Sequence, residues 1–241
     1  MVADVSIAEG SAQAFLDDDA LARDPERPAV AVQRVQRPTL VLGSTQPADL
    51  VIDATSPERA QWDVIRRRSG GGLVVLQPSS GVWVDVFIPT SHRRWDPDVN
   101  QAFHWLGRAM AEALAPLLHP PSSAAPRVLS VHTGPLTGRS AGRLYCFAGL
   151  GPGEVMVSGP DGNDRKVVGI SQRRTRAGAR FQCFVALRHD PQRALPLISP
   201  GYREQMKDAM RSANAGWPHD SLIPDVARLE ASVIDALVSA L

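Results

Sequence analysis

The chain contains 241 residues, of which 44% are hydrophobic and 21% are charged, as in an ordinary soluble globular protein. A formal net charge of +1 gives no overall attraction to nucleic acid or to an anionic membrane, and 2 cysteines are too few for a disulfide framework. No apolar run approaches the roughly 20 residues needed to span a bilayer, and the N-terminus lacks the pattern of a signal peptide. We therefore expect one cytoplasmic domain over residues 1–241, with neither nucleic acid nor membrane as its partner.

Hydrophobic periodicity predicts one helix and five strands in the first part of the chain. They are the helix 10–22 and the strands 30–36, 39–43, 63–65, 73–76 and 81–88. We expect the last two of these strands to form a hairpin across residues 78–81, because a turn-forming stretch separates them.

The second part of the chain begins with the clearest helical pattern, residues 97–117, which ends before the proline-rich stretch 119–121. Strand patterns resume at Val128. A meander of three predicted strands follows, at 154–158, 166–173 and 179–187. Two predicted helices, at 201–213 and 222–240, end the chain. This order predicts an α+β fold, in which a mixed, largely antiparallel sheet is flanked by helices.

A serine and three glycines separate two of the predicted strands, and three arginines precede them, in the run Arg66-Arg67-Arg68-Ser69-Gly70-Gly71-Gly72. Consecutive glycines remove side chains where another molecule approaches the backbone, and their amides can form an anion-binding concavity. The structural alternative is a flexible or bulged hairpin turn, which needs fewer glycines. The run therefore favours a binding loop.

Lysine is rare in this chain, since Lys166 and Lys207 are the only lysines among 26 basic residues. Lysine carries a compact ammonium on a flexible stem, whereas arginine carries a planar fork. A lysine within an arginine-rich stretch therefore indicates a point charge that must contact one atom. The alternative is an ordinary solvated side chain. The histidines show no metal-ligand spacing, and no metal site is expected.

The run 66–72 resembles the glycine-rich motif of the lipoate–protein ligase and octanoyltransferase family, which shares its catalytic fold with biotin protein ligases. Residues 163–172, which contain Lys166, resemble the lysine motif of that family. Residues 37–46 resemble the strand and loop that precede its glycine segment. The resemblance extends from about residue 10 to at least residue 190. It implies a single catalytic domain of the biotin/lipoate protein ligase type.

The resemblance implies a tunnel for an octanoyl or lipoyl chain beside the glycine loop. Lys166 would lie at its mouth, where an ammonium stabilises the negative charge of a tetrahedral transition state. Arg66 and Arg67 would support the loop or bind phosphate, and Gly71 and Gly72 would let the acyl chain lie against bare backbone. The residues implied to bind substrate are Arg66, Arg67, Ser69, Gly70, Gly71, Gly72, Gly169 and Ser171.

The position of Cys146 is similar to that of the nucleophilic cysteine in the octanoyltransferase branch of the family. A neighbouring cation favours the thiolate form of a cysteine, and Lys166 could supply it. A thioester on Cys146 would split one acyl transfer into two steps. The alternative is a small buried hydrophobic residue, which is the interpretation that fits Cys183.

Two departures from the family bear on the reaction. Gln77 stands where many members carry a His after the glycine-rich strand, and no C-terminal accessory domain is expected. We therefore expect a transferase that needs no cofactor and moves octanoyl from acyl carrier protein to the lysine of lipoyl-domain proteins through Cys146. An ATP-dependent lipoate–protein ligase, which uses ATP and Mg²⁺ and is completed by a separate small polypeptide, is the second hypothesis. A non-catalytic acyl-binding relative is the third.

Overall fold

The computed structural model describes residues 3–17, 24–51, 57–118, 128–159, 162–213, 215–217 and 225–241. The strands are β1 (Asp4–Gly10), β2 (Ala29–Val35), β3 (Thr39–Leu42), β4 (Asp63–Arg66), β5 (Val74–Leu76), β6 (Gly81–Pro89), β7 (Leu129–Val131), β8 (Val155–Ser158), β9 (Asp164–Arg174) and β10 (Gly178–Ala186). The α-helices are α1 (Ala12–Asp17), α2 (His104–Leu114), α3 (Arg139–Leu144), α4 (Pro200–Ser212) and α5 (Val226–Ala240).

Within the described residues, these strands form two sheets. The large sheet has the order β1-β2-β6-β10-β9-β8-β7, and the small sheet has the order β4-β3-β5. The pairs β1–β2 and β3–β4 are parallel, and the other pairs are antiparallel. The predicted α+β fold with a mixed, largely antiparallel sheet is therefore confirmed.

The two faces of the large sheet bury different neighbours, because side chains alternate between the faces along a strand. Val82, Val84 and Val86 of β6 belong to the core that the large sheet shares with α2 and α5. Trp83, between them in sequence, belongs to the core that the large sheet shares with the small sheet and α4. The gap between the two sheets is therefore built from the side chains that point away from the α2–α5 layer.

The hairpin predicted across residues 78–81 is wrong. β5 pairs with β3 in the small sheet, whereas β6 pairs with β2 and β10 in the large sheet. The chain crosses between the sheets through a tight turn, in which the Ser80 hydroxyl donates to the Gln77 carbonyl at 2.8 Å. Alternation along a strand predicts which face is buried, but it does not specify the neighbouring strand.

The helix predicted over 97–117 forms a shorter α-helix, α2, with single 3₁₀ turns at 101–103 and 115–117. Its N-terminal part stays outside the helix because carboxylates accept the backbone N–H groups there. The Asp96 side chain accepts from the Asp98 N–H at 2.8 Å, and the Asp98 side chain accepts from the Asn100 N–H at 2.7 Å. Such local bonds compete with helical ones.

The remaining predicted elements are present with small shifts in their ends, apart from the parts that lie outside the described residues. Those parts are 18–22 of the first helix, the stretch 119–121, and 222–224 of the last helix. The sequence analysis missed β1 and α3. None of the helices in the described part of the chain has both the length and the apolar character required to cross a membrane.

A buried ion pair connects the large sheet to α1. The Asp85 carboxylate is fully buried and accepts hydrogen bonds from the Arg180 guanidinium and, at 2.9 Å, from Trp83 Nε1. Burial raises the pKa of the Asp85 carboxyl, and Arg180 acts in the opposite direction. The same guanidinium donates to the Phe15 carbonyl, and the Phe15 ring packs edge-on against Trp83 with centroids 5.9 Å apart. Arg180 therefore anchors α1 over the gap between the sheets.

We predict that Asp85→Leu lowers the free energy of unfolding by about 3–5 kcal/mol, because it removes the buried carboxylate that accepts hydrogen bonds from the Arg180 guanidinium and from Trp83 Nε1. The double variant Asp85→Leu/Arg180→Met removes both charges and should recover most of the loss. Urea denaturation of the three proteins measures both effects. A double variant as unstable as Asp85→Leu would contradict this account.

Candidate functional site

An apolar pocket with a cavity volume of about 60 Å³ lies between the two sheets. The small sheet contributes Val41, Val74 and Leu76, and the large sheet contributes Trp83 and Phe184. Leu16 of α1 also lines the pocket. Aliphatic and aromatic walls of this kind favour an apolar ligand, with a few polar groups to fix its orientation.

Several polar groups of the pocket come from the segments that the sequence analysis selected, and Gln182 of β10 lies outside those segments. Arg67, Cys146, Gly169 and Ser171 all line it. The Ser171 hydroxyl lies 3.4 Å from the Ser69 hydroxyl, so the glycine turn of the small sheet meets β9 of the large sheet. The structure thus brings residues that are about 100 positions apart to one end of the pocket.

Arg67 holds the glycine turn through its backbone, whereas Arg66 bonds to the backbone of the loop after β3. The buried Arg67 guanidinium donates to the Gly70 carbonyl at 2.8 Å and to the Gly72 carbonyl at 2.9 Å. The exposed Arg66 donates to the Gly43 carbonyl at 2.8 Å and to the Gln46 carbonyl at 2.7 Å. The Arg67 contacts tie the turn together, and both guanidinium groups are occupied by backbone carbonyls.

The glycines of the turn differ in their surroundings. Gly71 has φ +96°, a conformation that favours glycine, and a Cβ there would lie 2.9 Å from Arg67 Nη2 and 3.7 Å from Cys146 Sγ. A Cβ on Gly72 would lie 2.5 Å from the Gly142 carbonyl oxygen, whereas a Cβ on Gly70 would meet no atom within 4 Å. The bare backbone of Gly72 therefore faces α3, and not an acyl chain as the sequence analysis expected.

Close packing at Gly72 allows the turn to bond to the segment that carries Cys146. The Leu73 N–H donates to the Leu144 carbonyl at 2.8 Å, and the Cys146 N–H donates to the Leu73 carbonyl at 2.9 Å. Cys146 begins a single 3₁₀ turn that ends at Ala148. Its partly exposed thiol lies beside Gly71 at the lining of the pocket.

Lys166 is a buried residue with three polar contacts, so the interpretation as a solvated lysine is wrong. Its side chain is 3% exposed, and its Nζ lies 2.6 Å from Glu154 Oε2. The ammonium also donates to the Gly149 carbonyl at 2.8 Å and to the Cys146 carbonyl at 3.3 Å. It lies 4.9 Å from the centre of the Phe147 ring, a cation–π distance. The ammonium thus contacts the main chain of Cys146 behind the pocket wall.

Glu154 was missed by the sequence analysis. Its carboxylate accepts from the Gly151 N–H at 2.7 Å and from the Ile170 N–H at 3.2 Å, in addition to its ion pair with Lys166. It therefore connects the loop after Cys146 to β9. The available signal was an acidic residue directly before an apolar strand, Glu154 before Val155, with the isolated lysine in the next strand of the predicted meander.

A cluster of aromatic rings supports the Cys146 turn from behind. The Tyr145 hydroxyl hydrogen-bonds to His189 Nε2, and the His189 ring lies 5.3 Å from the Phe147 ring, centre to centre. Burial lowers the pKa of His189 from 6.5 to about 4, and burial also raises the pKa of Tyr145. The imidazole is therefore neutral at pH 7 and acts as part of the packed cluster. In the described part of the chain, no group of three or more His, Cys, Asp or Glu side chains is arranged to hold a metal ion.

Residues 14–216 match the family model of the lipoyl protein ligase A/B catalytic domain. No curated protein matches the chain. A bipartite lipoate protein ligase from Thermoplasma acidophilum, studied with its E2 lipoyl domain, is similar in structure, with a TM-score of 0.67, 14% identity, and coverage of 100% of this chain and 84% of that one. A T. acidophilum structure with bound lipoic acid has a TM-score of 0.68 and 15% identity, and the match covers 100% of this chain and 85% of that one. A lipoate-protein ligase A bound with ATP has a TM-score of 0.65 and 14% identity, and the match covers 100% of this chain and 85% of that one.

We predict that Gly72→Ala lowers the free energy of unfolding by about 1–3 kcal/mol, because the added methyl group overlaps the backbone of α3. Gly70→Ala is the matched control, since open space surrounds that position. Thermal and urea unfolding of both variants test the prediction. Equal stability of the two variants would show that the turn does not pack closely against α3.

We predict that stability decreases as the pH falls from about 6.5 to about 4, because His189 is protonated in the unfolded chain over this range but stays neutral when folded. The lowered pKa corresponds to a loss of about 3 kcal/mol in the free energy of unfolding across this pH range, since one pKa unit is worth about 1.4 kcal/mol. His189→Phe keeps an aromatic ring at this position and should remove this component. Denaturation from pH 7 to pH 4 measures it, and parallel pH profiles for the two proteins would contradict the assignment.

Proposed function

The chain belongs to the lipoyl protein ligase A/B catalytic domain family, and we propose that it is an acyltransferase of the lipoate pathway. In this proposal it moves an octanoyl group from acyl carrier protein to the lysine of a lipoyl domain. The observation that supports the covalent route is the thiol of Cys146, which is partly exposed and lines an apolar pocket between the sheets. An alkyl chain held in that pocket would present its carbonyl carbon to the sulfur.

The first step is a thioester exchange. The Cys146 thiolate attacks the carbonyl carbon of the donor thioester, a new C–S bond forms, and the C–S bond to the carrier breaks. The carrier leaves as a thiol after it takes up a proton. An alkyl chain in the pocket would lie against apolar side chains of α1 and of both sheets.

Lys166 is proposed to stabilise the negative charge that develops on the carbonyl oxygen. Its bonds to Glu154 and Gly149 are short, at 2.6 and 2.8 Å, whereas its bond to the Cys146 carbonyl is 3.3 Å long. The third bond is the weakest, so an oxyanion beside Cys146 would compete for it most readily. The other two bonds would keep the ammonium in place during the exchange.

The second step transfers the acyl group to the acceptor. The neutral amine of a lipoyl-domain lysine attacks the thioester carbon, an amide C–N bond forms, and the Cys146 C–S bond breaks to return the thiol. The similar T. acidophilum ligase was studied together with its E2 lipoyl domain, and we propose an acceptor of the same class here.

ATP-dependent ligation through lipoyl-adenylate is the second candidate function. Gly70 and Gly71 are exposed, and successive amides in such a turn bind anions, so the turn fits a phosphate of ATP. The guanidinium groups of Arg66 and Arg67 are already bonded to backbone carbonyls and would not be the main ligands. The similar lipoate-protein ligase A structure contains ATP. This route uses ATP with Mg²⁺ and needs no thioester on Cys146.

We predict that incubation with octanoyl-acyl carrier protein, without ATP, places an octanoyl group on Cys146. Peptide mass mapping after the reaction measures it. Cys183 is an internal control in the same digest, because burial raises the pKa of its thiol well above the ordinary value and the residue is fully buried. Cys146→Ala should abolish both the adduct and the transfer to a lipoyl domain.

Full transfer by Cys146→Ala would rule out the covalent route. Transfer from lipoate that requires ATP, together with lipoate-dependent exchange of pyrophosphate into ATP, would establish the ligase instead. Robust transfer of either kind would eliminate the non-catalytic hypothesis.

A further inference from the structure

A second cleft lies on the outer side of the glycine turn, and the steps proposed above do not use it. Its cavity volume is about 570 Å³. Thr45 lines it from the loop after β3, Arg139 and Arg143 line it from α3, and Tyr202 and Gln205 line it from α4. The cleft is therefore a junction of three separate elements beside the turn.

The cleft carries positive charge. Arg139 and Arg143 are both exposed, and neither guanidinium forms an ion pair with any residue that the structure describes. Among the described residues that line the cleft, none is acidic. Asp49 is the carboxylate in contact with the lining, since it accepts a 3.4 Å hydrogen bond from the Tyr202 hydroxyl. Two guanidinium groups without an ion pair to any described residue favour an anion in the cleft, and their planar forks match the geometry of phosphate as well as that of carboxylate.

The cleft and the apolar pocket meet at the proposed nucleophile. Gly71 lines the cleft, and the position of a Cβ on Gly71 would be 3.7 Å from Cys146 Sγ. Leu144 also lines the cleft and is two residues before Cys146. One glycine, with no side chain, therefore separates the basic cleft from the thiol.

We infer that the cleft binds the phosphate-bearing arm of the thioester donor, while the acyl chain of the same donor occupies the apolar pocket. Arg139 and Arg143 hold the phosphate, and the donor sulfur passes over Gly71 to reach Cys146. The thiol that leaves in the first step then remains in the cleft until it dissociates. This inference rests on the proposed transferase function and adds to it the two residues that bind the phosphate of the donor arm, Arg139 and Arg143.

The test compares two donors that differ by a single phosphate, octanoyl-4′-phosphopantetheine and octanoyl-pantetheine. Mass spectrometry measures the rate of acylation of Cys146 by each. We expect the phosphorylated donor to react with a kcat/KM about tenfold higher in the wild type, the factor that corresponds to one hydrogen bond to a charged group. In Arg139→Gln/Arg143→Gln the ratio should fall to about 1, with the rate for octanoyl-pantetheine unchanged, because neither substitution touches the pocket or the thiol.

Three further measurements distinguish this inference from general effects of charge. Arg108→Gln is the matched control, since it removes an exposed arginine from α2, on the opposite side of the large sheet, and should keep the wild-type ratio. Added salt should lower the ratio in the wild type and leave it unchanged in the double variant. Octanoyl-coenzyme A and octanoyl-acyl carrier protein carry the same arm. Whichever of the two acylates Cys146 faster in the wild type should do so about tenfold more slowly in the double variant.

The outcomes separate the inference from the function on which it rests. If no donor acylates Cys146 in the wild type, the proposed transferase function is wrong. If Cys146 is acylated equally fast with and without the phosphate, or if the double variant keeps the preference, the transferase function stands and the role of the cleft is overturned.

Discussion

The buried ion pair between Lys166 and Glu154 is the interaction on which the candidate site depends. Both side chains are almost fully buried, at 3% and 6% exposure, so each charge needs the other. Through its further bonds the pair joins β9 to the loop after Cys146: Glu154 accepts from the Ile170 and Gly151 amides, and Lys166 donates to the Cys146 and Gly149 carbonyls. The position of the thiol relative to the large sheet is therefore set by electrostatics in a region of low polarity.

The sequence predicted most of the large sheet because its signal is local. In β6 and β10, alternating side chains face the α2–α5 core and the small sheet in turn, and a period of two is visible in the residues themselves. The pairing of strands is not local, which is why β5 and β6 were wrongly joined into a hairpin. β1 was missed for another reason: in this parallel edge strand the alternating Val5 and Ile7 are exposed, so its short apolar pattern does not mark a buried face.

The residues of the site were predictable to the extent that their type was unusual. An isolated lysine, a run of three glycines and a cysteine before a glycine-rich loop are rare features, and the structure brings all three together. Their partners were not predictable, because Glu154 and His189 are ordinary residues whose significance comes from contacts across the fold. Gly72 illustrates the same limit: the sequence indicated a close approach at this position, but only the structure shows that α3 is what approaches.

The double attachment of Leu73 has a mechanical consequence. Because its N–H and its carbonyl both bond to the chain around Cys146, the edge of the small sheet is tied at two points to the segment that carries the sulfur. A movement that widened the gap between the sheets would therefore have to break these two bonds or carry the Cys146 segment with it.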